Sequence, residues 1–184
     1  MMKELLEQYA NDPSNDVVNY RIGLWYSDIE QYASALSFLL RAAELTESKE
    51  LAYECLVINA LNFRKMGERN NSQKNQLMHA ISLIPDRPEA YFLLSRFYEE
   101  TKQWHESYMF ADIGAKKFFD SPPNEKLDFP GTYGLVYQKA ISGWWICKFR
   151  ESRKLFEHLL SQNIREDYKQ SCVHNLQIMD SKSK

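Results

Sequence analysis

Apolar residues recur along most of the chain at the three- and four-residue spacing of amphipathic helices. In residues 19–45 two such faces follow each other, separated only by SDIEQ, and they carry Ile22, Gly23, Tyr26, Tyr32, Ala35, Leu36, Leu39, Ala42 and Ala43. The six prolines stand between the periodic segments rather than inside them. The pattern predicts an all-α protein made of short antiparallel helix hairpins.

The first hairpin has a copy further along the chain. Its small residues Gly23, Ala35 and Ala42 have counterparts 72 positions later at Ser95, Ser107 and Gly114. Because 72 is two periods of about 36, one more hairpin lies between them. We expect one domain, residues 1–184, with hairpins at 16–49, 53–87, 88–121 and 133–162, an insertion loop at 119–132 and a capping helix at 165–179.

Two of these units resemble tetratricopeptide repeats. In the first, the matching positions are Ile22, Gly23, Tyr26, Tyr32, Ala35, Leu39 and Ala42; in the third they are Tyr91, Leu94, Ser95, Tyr98, Trp104, Ser107, Ala111 and Gly114. The resemblance implies an α-solenoid, a superhelix of stacked antiparallel hairpins closed by N- and C-terminal capping helices. It also implies a concave groove, lined by the first helix of each hairpin, that binds a protein or peptide.

The repeat register predicts which side chains line that groove. They are Tyr20, Arg21, Leu24, Asp28, Val57, Leu61, Arg64, Phe92, Arg96, Glu99, Tyr137, Ile141 and Trp144. Repeat proteins that bind a chaperone's terminal carboxylates use a Lys/Asn/Arg clamp, whereas Tyr20 and Leu24 stand at the first clamp positions here. An aromatic and aliphatic groove with few charges favours an apolar peptide, a helix or another domain as partner.

Four aromatic residues lie near the hairpin turns, and the sequence indicates which of them are buried. Trp104 and Phe149 occupy positions that predict core packing. Trp144 and Trp145 point about 100° apart on a helix, so one of them faces the groove or a loop. Alternatively, residues 120–132 fold over it, with Phe129 and Pro130 as the cover.

Composition narrows the function classes. Lys+Arg 23 against Asp+Glu 25 gives a net charge of −2, which disfavours nucleic-acid binding. Three cysteines in apolar helical contexts without a CxxC pair favour a reducing compartment, the cytoplasm, and no apolar run is long enough for a membrane span. The scattered histidines and the lack of phosphate-loop or nucleophile motifs predict a protein that is not an enzyme and has neither cofactor nor metal.

A narrower resemblance covers about residues 84–160. It rests on Arg87-Pro88-Glu89-Ala90, Trp104 with Ser107, Ala111 and Gly114, a proline-rich insertion, and then Tyr137, Ala140-Ile141-Ser142, Trp144 and Glu151-Ser152. The segment is similar to the helical region attached to some family 2 glycosyltransferases, although Lys139 replaces the usual acidic residue and no DxD motif is present. This resemblance implies an alternative function as an accessory module that positions an acceptor or a glycosyltransferase domain.

Overall fold

Helices account for nearly all of the chain. The computed structural model describes residues 2–67 and 69–182, with Lys182 described only by its backbone. Over these ranges ten α-helices and one 3-10 turn follow in order: α1 Met2–Asn11, α2 Asp16–Asp28, α3 Tyr32–Leu45, α4 Lys49–Met66, α5 Asn70–Leu83, α6 Glu89–Glu100, α7 Trp104–Lys117, the 3-10 turn Glu125–Leu127, α8 Thr132–Trp145, α9 Phe149–Leu160 and α10 Glu166–Lys182. No strand occurs in the described ranges, so the all-α prediction is confirmed.

Internal contacts divide the chain into two compact units, Met1–Ala90 and Tyr91–Lys184. The proposal that residues 1–184 act as one domain stays a prediction, and each unit is described separately below. In the first unit α2 packs against α3 and α4 against α5; in the second, α6 contacts α7 through Ser95 and Ser107, and α8 packs against α9.

The first unit begins with α1 packed as a cap on the first hairpin. Leu5 of α1 is buried with Val18 and Ile22 of α2. At the α2–α3 crossing, a Cβ on Gly23 would lie 2.6 Å from Leu39 Cγ and 3.2 Å from the Leu39 backbone nitrogen. Only glycine allows this approach, which confirms the expected role of the small residue at the crossing.

The first unit ends at a corner held by Tyr53 of α4. The Tyr53 hydroxyl accepts a hydrogen bond from the Ala90 backbone N–H (3.1 Å) and donates one to Glu89 Oε2 (3.2 Å). Arg87 pairs with Glu89 at 2.7 Å and lies 4.2 Å from the centre of the Tyr53 ring. Since Glu89 and Tyr53 are both buried, this cluster holds Glu89 and Ala90 against α4.

The four hairpin turns share a positive backbone φ at one residue. Each has a residue with positive φ between its two helices: Glu30 (61°), Gly67 (69°), Lys102 (58°) and Cys147 (64°). Such a left-handed residue commonly ends a helix and lets the chain reverse. Cys147 therefore lies in an exposed turn, and the expectation that all three cysteines sit in apolar helical contexts is wrong for it.

In the second unit, small hydroxyl residues lie where α6, α7 and α8 cross. Ser95 Oγ of α6 donates to the Ser107 carbonyl of α7 (2.9 Å), and the Ser107 and Ser142 hydroxyls are 2.6 Å apart. Ser142 in turn donates to the Gln138 carbonyl within α8 (2.8 Å). Because these buried hydroxyls are hydrogen-bonded, the three helices pack closely at these serines.

The C-terminal helix α10 closes the core of the second unit. Cys172 and Met179 of α10 are buried with Ala140 of α8 and Phe156 and Leu159 of α9. This packing confirms the predicted role of the last helix as a cap.

The insertion between α7 and α8 is an ordered loop. Thr132 Oγ1 donates to the Phe118 carbonyl (2.5 Å) and accepts from the Ser121 N–H (2.8 Å), and Asn124 and Phe129 exchange two backbone hydrogen bonds. These bonds direct Phe129, which is buried, onto α6.

Candidate functional site

In the first unit, the predicted groove residues are placed at different depths. Arg21, Asp28 and Arg64 are exposed, and Leu24 and Leu61 are half-buried. Tyr20 is buried, and its hydroxyl donates to Glu54 Oε2 of α4 at 2.8 Å. Val57 is fully buried in the core and offers no surface to a partner.

In the second unit, the insertion loop covers part of the predicted groove. The Phe129 ring packs edge-on against Phe92 of α6, 5.8 Å between centroids, and both rings are buried. Arg96, one turn further along α6, pairs with Asp128 at 2.7 Å. The sequence analysis offered the alternative that Phe129 covers Trp144 or Trp145. That alternative is wrong, because Phe129 packs on Phe92 of α6 instead.

Beside this covered patch, three tyrosines from α8 and α10 come together. The rings of Tyr133 and Tyr168 are 5.1 Å apart, and those of Tyr137 and Tyr168 are 4.8 Å apart, both edge to face. The Arg165 guanidinium lies 5.3 Å from the Tyr168 ring centre. We call Tyr133, Tyr137, Tyr168 and Arg165 the tyrosine face.

Two pockets open on the tyrosine face, and Arg165 lines both. One has a volume of about 390 Å³ and lies between the insertion loop, Tyr133 and Arg165. The other, about 170 Å³, is lined by Tyr137, Arg165, Asp167, Tyr168 and Ser171. Arg165 is 61% exposed in its side chain and pairs with Asp167 at 2.5 Å.

Burial dominates the electrostatics of this region. It raises the pKa of Tyr137 and of Tyr168, so both hydroxyls stay protonated at neutral pH. Burial, reinforced by the charge of Glu100, also raises the pKa of Glu99, although Arg96 opposes the change. The face therefore offers neutral phenol groups as hydrogen-bonding partners beside one exposed guanidinium, and none of its residues is an activated nucleophile.

The remaining predicted groove residues lie towards the end of α8. Ile141 is half-buried, and Trp144 packs edge-on against Phe149, 4.6 Å between centroids. Phe149 is 47% exposed, so its predicted core position is wrong: it is the first residue of α9, where the chain has just left an exposed turn. Trp145 is the more exposed member of the tryptophan pair and stacks on the half-buried Trp104 at 4.9 Å.

The strongest ionic cluster of the second unit lies between α7, α8 and α9. Lys139 contacts Asp112 at 2.9 Å and Glu151 at 2.8 Å, and Tyr108 donates to the second oxygen of Glu151. Partial burial alone would raise the pKa of both carboxyl groups. Hydrogen bonds from Lys116 and Lys139 lower the pKa of Asp112 below its ordinary value, and hydrogen bonds from Lys139 and Tyr108 do the same for Glu151. Every charged member has a partner, which indicates a structural role for this cluster.

In the parts of the chain that the structure describes, no three His, Cys, Asp or Glu side chains are grouped so that they could hold a metal ion. Among the helices of the same residues, none combines the length and the apolar character needed to cross a bilayer.

Sequence reasoning missed Tyr133, Arg165 and Tyr168. A signal for Tyr168 was present, since Tyr168, Cys172, Leu176 and Met179 follow at helical spacing and mark a buried face on α10. The last helix was interpreted only as a cap, and so its tyrosine was not assigned to a face. Arg165 precedes the helix, and no periodicity could indicate it.

Comparison of the sequence with protein families and with curated proteins gives no match. Solved structures with a similar fold do exist. MamA has a TM-score of 0.66 at 18% identity, over 86% of this chain and 78% of MamA. PilF of Pseudomonas aeruginosa has a TM-score of 0.67 at 14% identity, over 86% of this chain and 65% of PilF.

A third similar structure is YrrB, described as a tetratricopeptide protein with an unusual peptide-binding site. It has a TM-score of 0.67 at 14% identity, over 94% of this chain and 80% of YrrB. The fold of the present protein is therefore an α-solenoid of the tetratricopeptide type, and the predicted fold class is confirmed.

Proposed function

We propose that this protein is a non-catalytic scaffold that binds a protein or peptide partner through the tyrosine face. One observation carries the proposal: two pockets, of about 390 and 170 Å³, share Arg165 and are lined by tyrosines. Tyrosine and arginine are enriched at the centres of protein interfaces, because each combines a large contact area with hydrogen bonding at its tip. The peptide-binding site named for YrrB, which has a similar fold, adds support.

The first unit contributes its own candidate contacts. Arg21, Leu24, Asp28, Leu61 and Arg64 remain accessible at least in part, and we propose them as partner-binding residues. Tyr20 and Val57 of this unit are buried, and so is Phe92 of the second unit, so we do not propose these three as partner contacts. A reducing compartment such as the cytoplasm stays the proposed location, in keeping with three free cysteines.

The test begins with the selection of peptides from a displayed library against the whole chain. Affinity for a selected peptide is then measured by fluorescence anisotropy with wild type and with Arg165→Glu. The substitution reverses an exposed charge without touching the core, and we expect at least about tenfold weaker binding. Arg41→Glu is the matched control, because Arg41 is similarly exposed at 51% and lies on α3 of the first unit.

Two outcomes would contradict the proposal. The first is a library that yields no peptide bound by the folded chain. The second is a selected peptide whose affinity is the same for wild type and Arg165→Glu. A loss of affinity in the Arg41→Glu control as well would point to general electrostatic attraction rather than to a specific face.

The alternative, an accessory module of a glycosyltransferase, rests on the sequence resemblance over residues 84–160. Lys139, which departs from that pattern, is bound by Asp112 and Glu151 and so fits this fold. Binding of a family 2 glycosyltransferase domain by the purified chain, abolished by Arg165→Glu, would favour this alternative over a general scaffold.

A further inference from the structure

A third pocket lies at the opposite end of α8 from the tyrosine face. Tyr133 and Trp144 are separated by eleven residues, or about 16 Å along a helix axis. The pocket has a volume of about 180 Å³ and is lined by Trp144, Phe149, Arg150, Arg153 and Met179. We call it the Trp144 pocket.

The walls and floor of the Trp144 pocket are apolar. The rings of Trp144 and Phe149 meet at an interplanar angle of 66° and form two sides of a cleft. Met179 of α10 is buried beneath them. Phe149 leaves nearly half of its surface exposed, so the cleft presents an aromatic surface that the fold itself does not cover.

Two arginines stand at the rim of the pocket. Arg153 is bonded to Asp180 and lies 3.6 Å from Glu157, whereas Arg150 has no hydrogen bond or ion pair with any described residue. Arg150 is therefore available at the rim to a negatively charged partner.

The size of the cavity limits the occupant. Sites for drug-sized ligands measure about 300 to 1,000 Å³, so 180 Å³ has room for about one large side chain. A bilayer would contact splayed aromatic side chains on a flat surface, whereas Trp144 and Phe149 form a closed corner. The shape and the charge together fit a peptide.

We propose that the Trp144 pocket is a second peptide-binding site, which takes one large apolar side chain from a segment with acidic residues on both sides. The apolar side chain lies in the corner that the Trp144 and Phe149 rings form, and a flanking carboxylate pairs with Arg150. The pocket shares no residue with the tyrosine face, so neither proposal depends on the other.

Three matched peptides test this proposal: Ac-EEFEE-NH2, Ac-QQFQQ-NH2 and Ac-EEAEE-NH2. Each is titrated into the whole ¹⁵N-labelled chain, and the indole N–H signal of Trp144 is followed, with that of Trp25 in the first unit as internal reference. We expect saturable shifts of the Trp144 signal with the first peptide. Binding of the glutamine peptide should be about fivefold weaker, and that of the alanine peptide at least about tenfold weaker.

Variants separate the two parts of the site. In Arg150→Gln, the difference between the glutamate and glutamine peptides should shrink to less than about twofold, and Phe149→Ala should weaken both phenylalanine peptides. Both residues are exposed, so circular dichroism of the variants should match wild type. Arg41→Gln is the matched control and should bind as wild type, and so should Arg165→Glu, which disables only the tyrosine face.

The proposal is overturned if the Trp144 signal does not move, or if the phenylalanine and alanine peptides bind equally. Equal affinity of the glutamate peptide for wild type and Arg150→Gln would also overturn it. Sedimentation with phosphatidylserine vesicles is run in parallel. Binding to vesicles without binding to the peptides would reassign the aromatic and basic residues to a lipid surface.

Discussion

Gly134 on α8 is the position where a single added methyl group should reveal how the insertion loop is held. A Cβ at this residue would lie 2.4 Å from Pro130 Cγ and 3.0 Å from Phe92 Cε2. The proline ring is rigid, and Phe92 is buried against Phe129, so neither can rotate away cheaply. Gly134→Ala must therefore push the loop away from α8.

The expected change in the free energy of unfolding of Gly134→Ala follows from two opposing effects. Overpacking of a buried contact costs about 1 to 3 kcal/mol, and replacing glycine by alanine in a helix returns at most about 1 kcal/mol. Because a 2.4 Å contact with a rigid ring lies far inside van der Waals distance, the cost falls in the upper part of that range, about 2 to 3 kcal/mol, and we expect a net loss of about 1 to 2 kcal/mol in the free energy of unfolding. Gly143 on the same helix provides the matched control, because its Cβ would lie 3.5 Å from Tyr108, an ordinary contact.

The assay is urea unfolding followed by tryptophan fluorescence. Trp104, Trp144 and Trp145 all lie in the second unit, so the signal mainly reports the unit that contains the substitution. Gly134→Ala should shift the transition to lower urea, while Gly143→Ala should leave it unchanged or raise it. A Gly134→Ala protein as stable as wild type would refute the packing of loop and α8 described here.

Three further predictions address packing, pH and thiol exposure. Gly23→Leu should lower the free energy of unfolding by about 1 to 3 kcal/mol, because even a Cβ at this position would overlap Leu39. Thermal and urea unfolding measure the change, and unchanged stability would contradict the tight crossing. Glu99→Gln should be more stable than wild type at pH 7. Burial and Glu100 raise the pKa of Glu99, so the folded protein holds that proton more firmly than the unfolded chain. Wild type therefore gains stability as the pH falls, and the advantage of the variant should vanish below about pH 4. A difference in stability between variant and wild type that does not change with pH would disprove this. Native protein should react with Ellman's reagent at one thiol per chain, Cys147, since the other two cysteines are buried; fast reaction of two or three thiols would show that the helices open.

The sequence pattern predicted the hairpins because the residues that specify them act locally. Gly23 and Gly114 stand at positions where a Cβ would clash with a neighbouring helix, and this need for a small residue recurs with the period of the fold. The prolines at residues 85 and 88 bracket the corner that Tyr53 and Arg87 hold. Each of these features depends on a few residues near in sequence or one repeat away.

The site was harder to predict, because it depends on an aperiodic segment. The insertion loop places Asp128 and Phe129 on α6, and no repeat rule states which helix such a loop will contact. As a result Phe92 is covered, and the accessible surface moves to Tyr133 and Tyr168. Register predicts which side of a helix faces inward, but it cannot say what lies on top of that side.

Mapping a bound peptide by nuclear magnetic resonance tests the central proposal most directly. A peptide selected against the whole chain is titrated into ¹⁵N-labelled protein, and shift changes are assigned to residues. We predict that the largest changes lie at Tyr133, Tyr137, Arg165 and Tyr168 and are lost in Arg165→Glu. Changes confined to residues remote from these four, with the tyrosine face unperturbed, would contradict the proposed function.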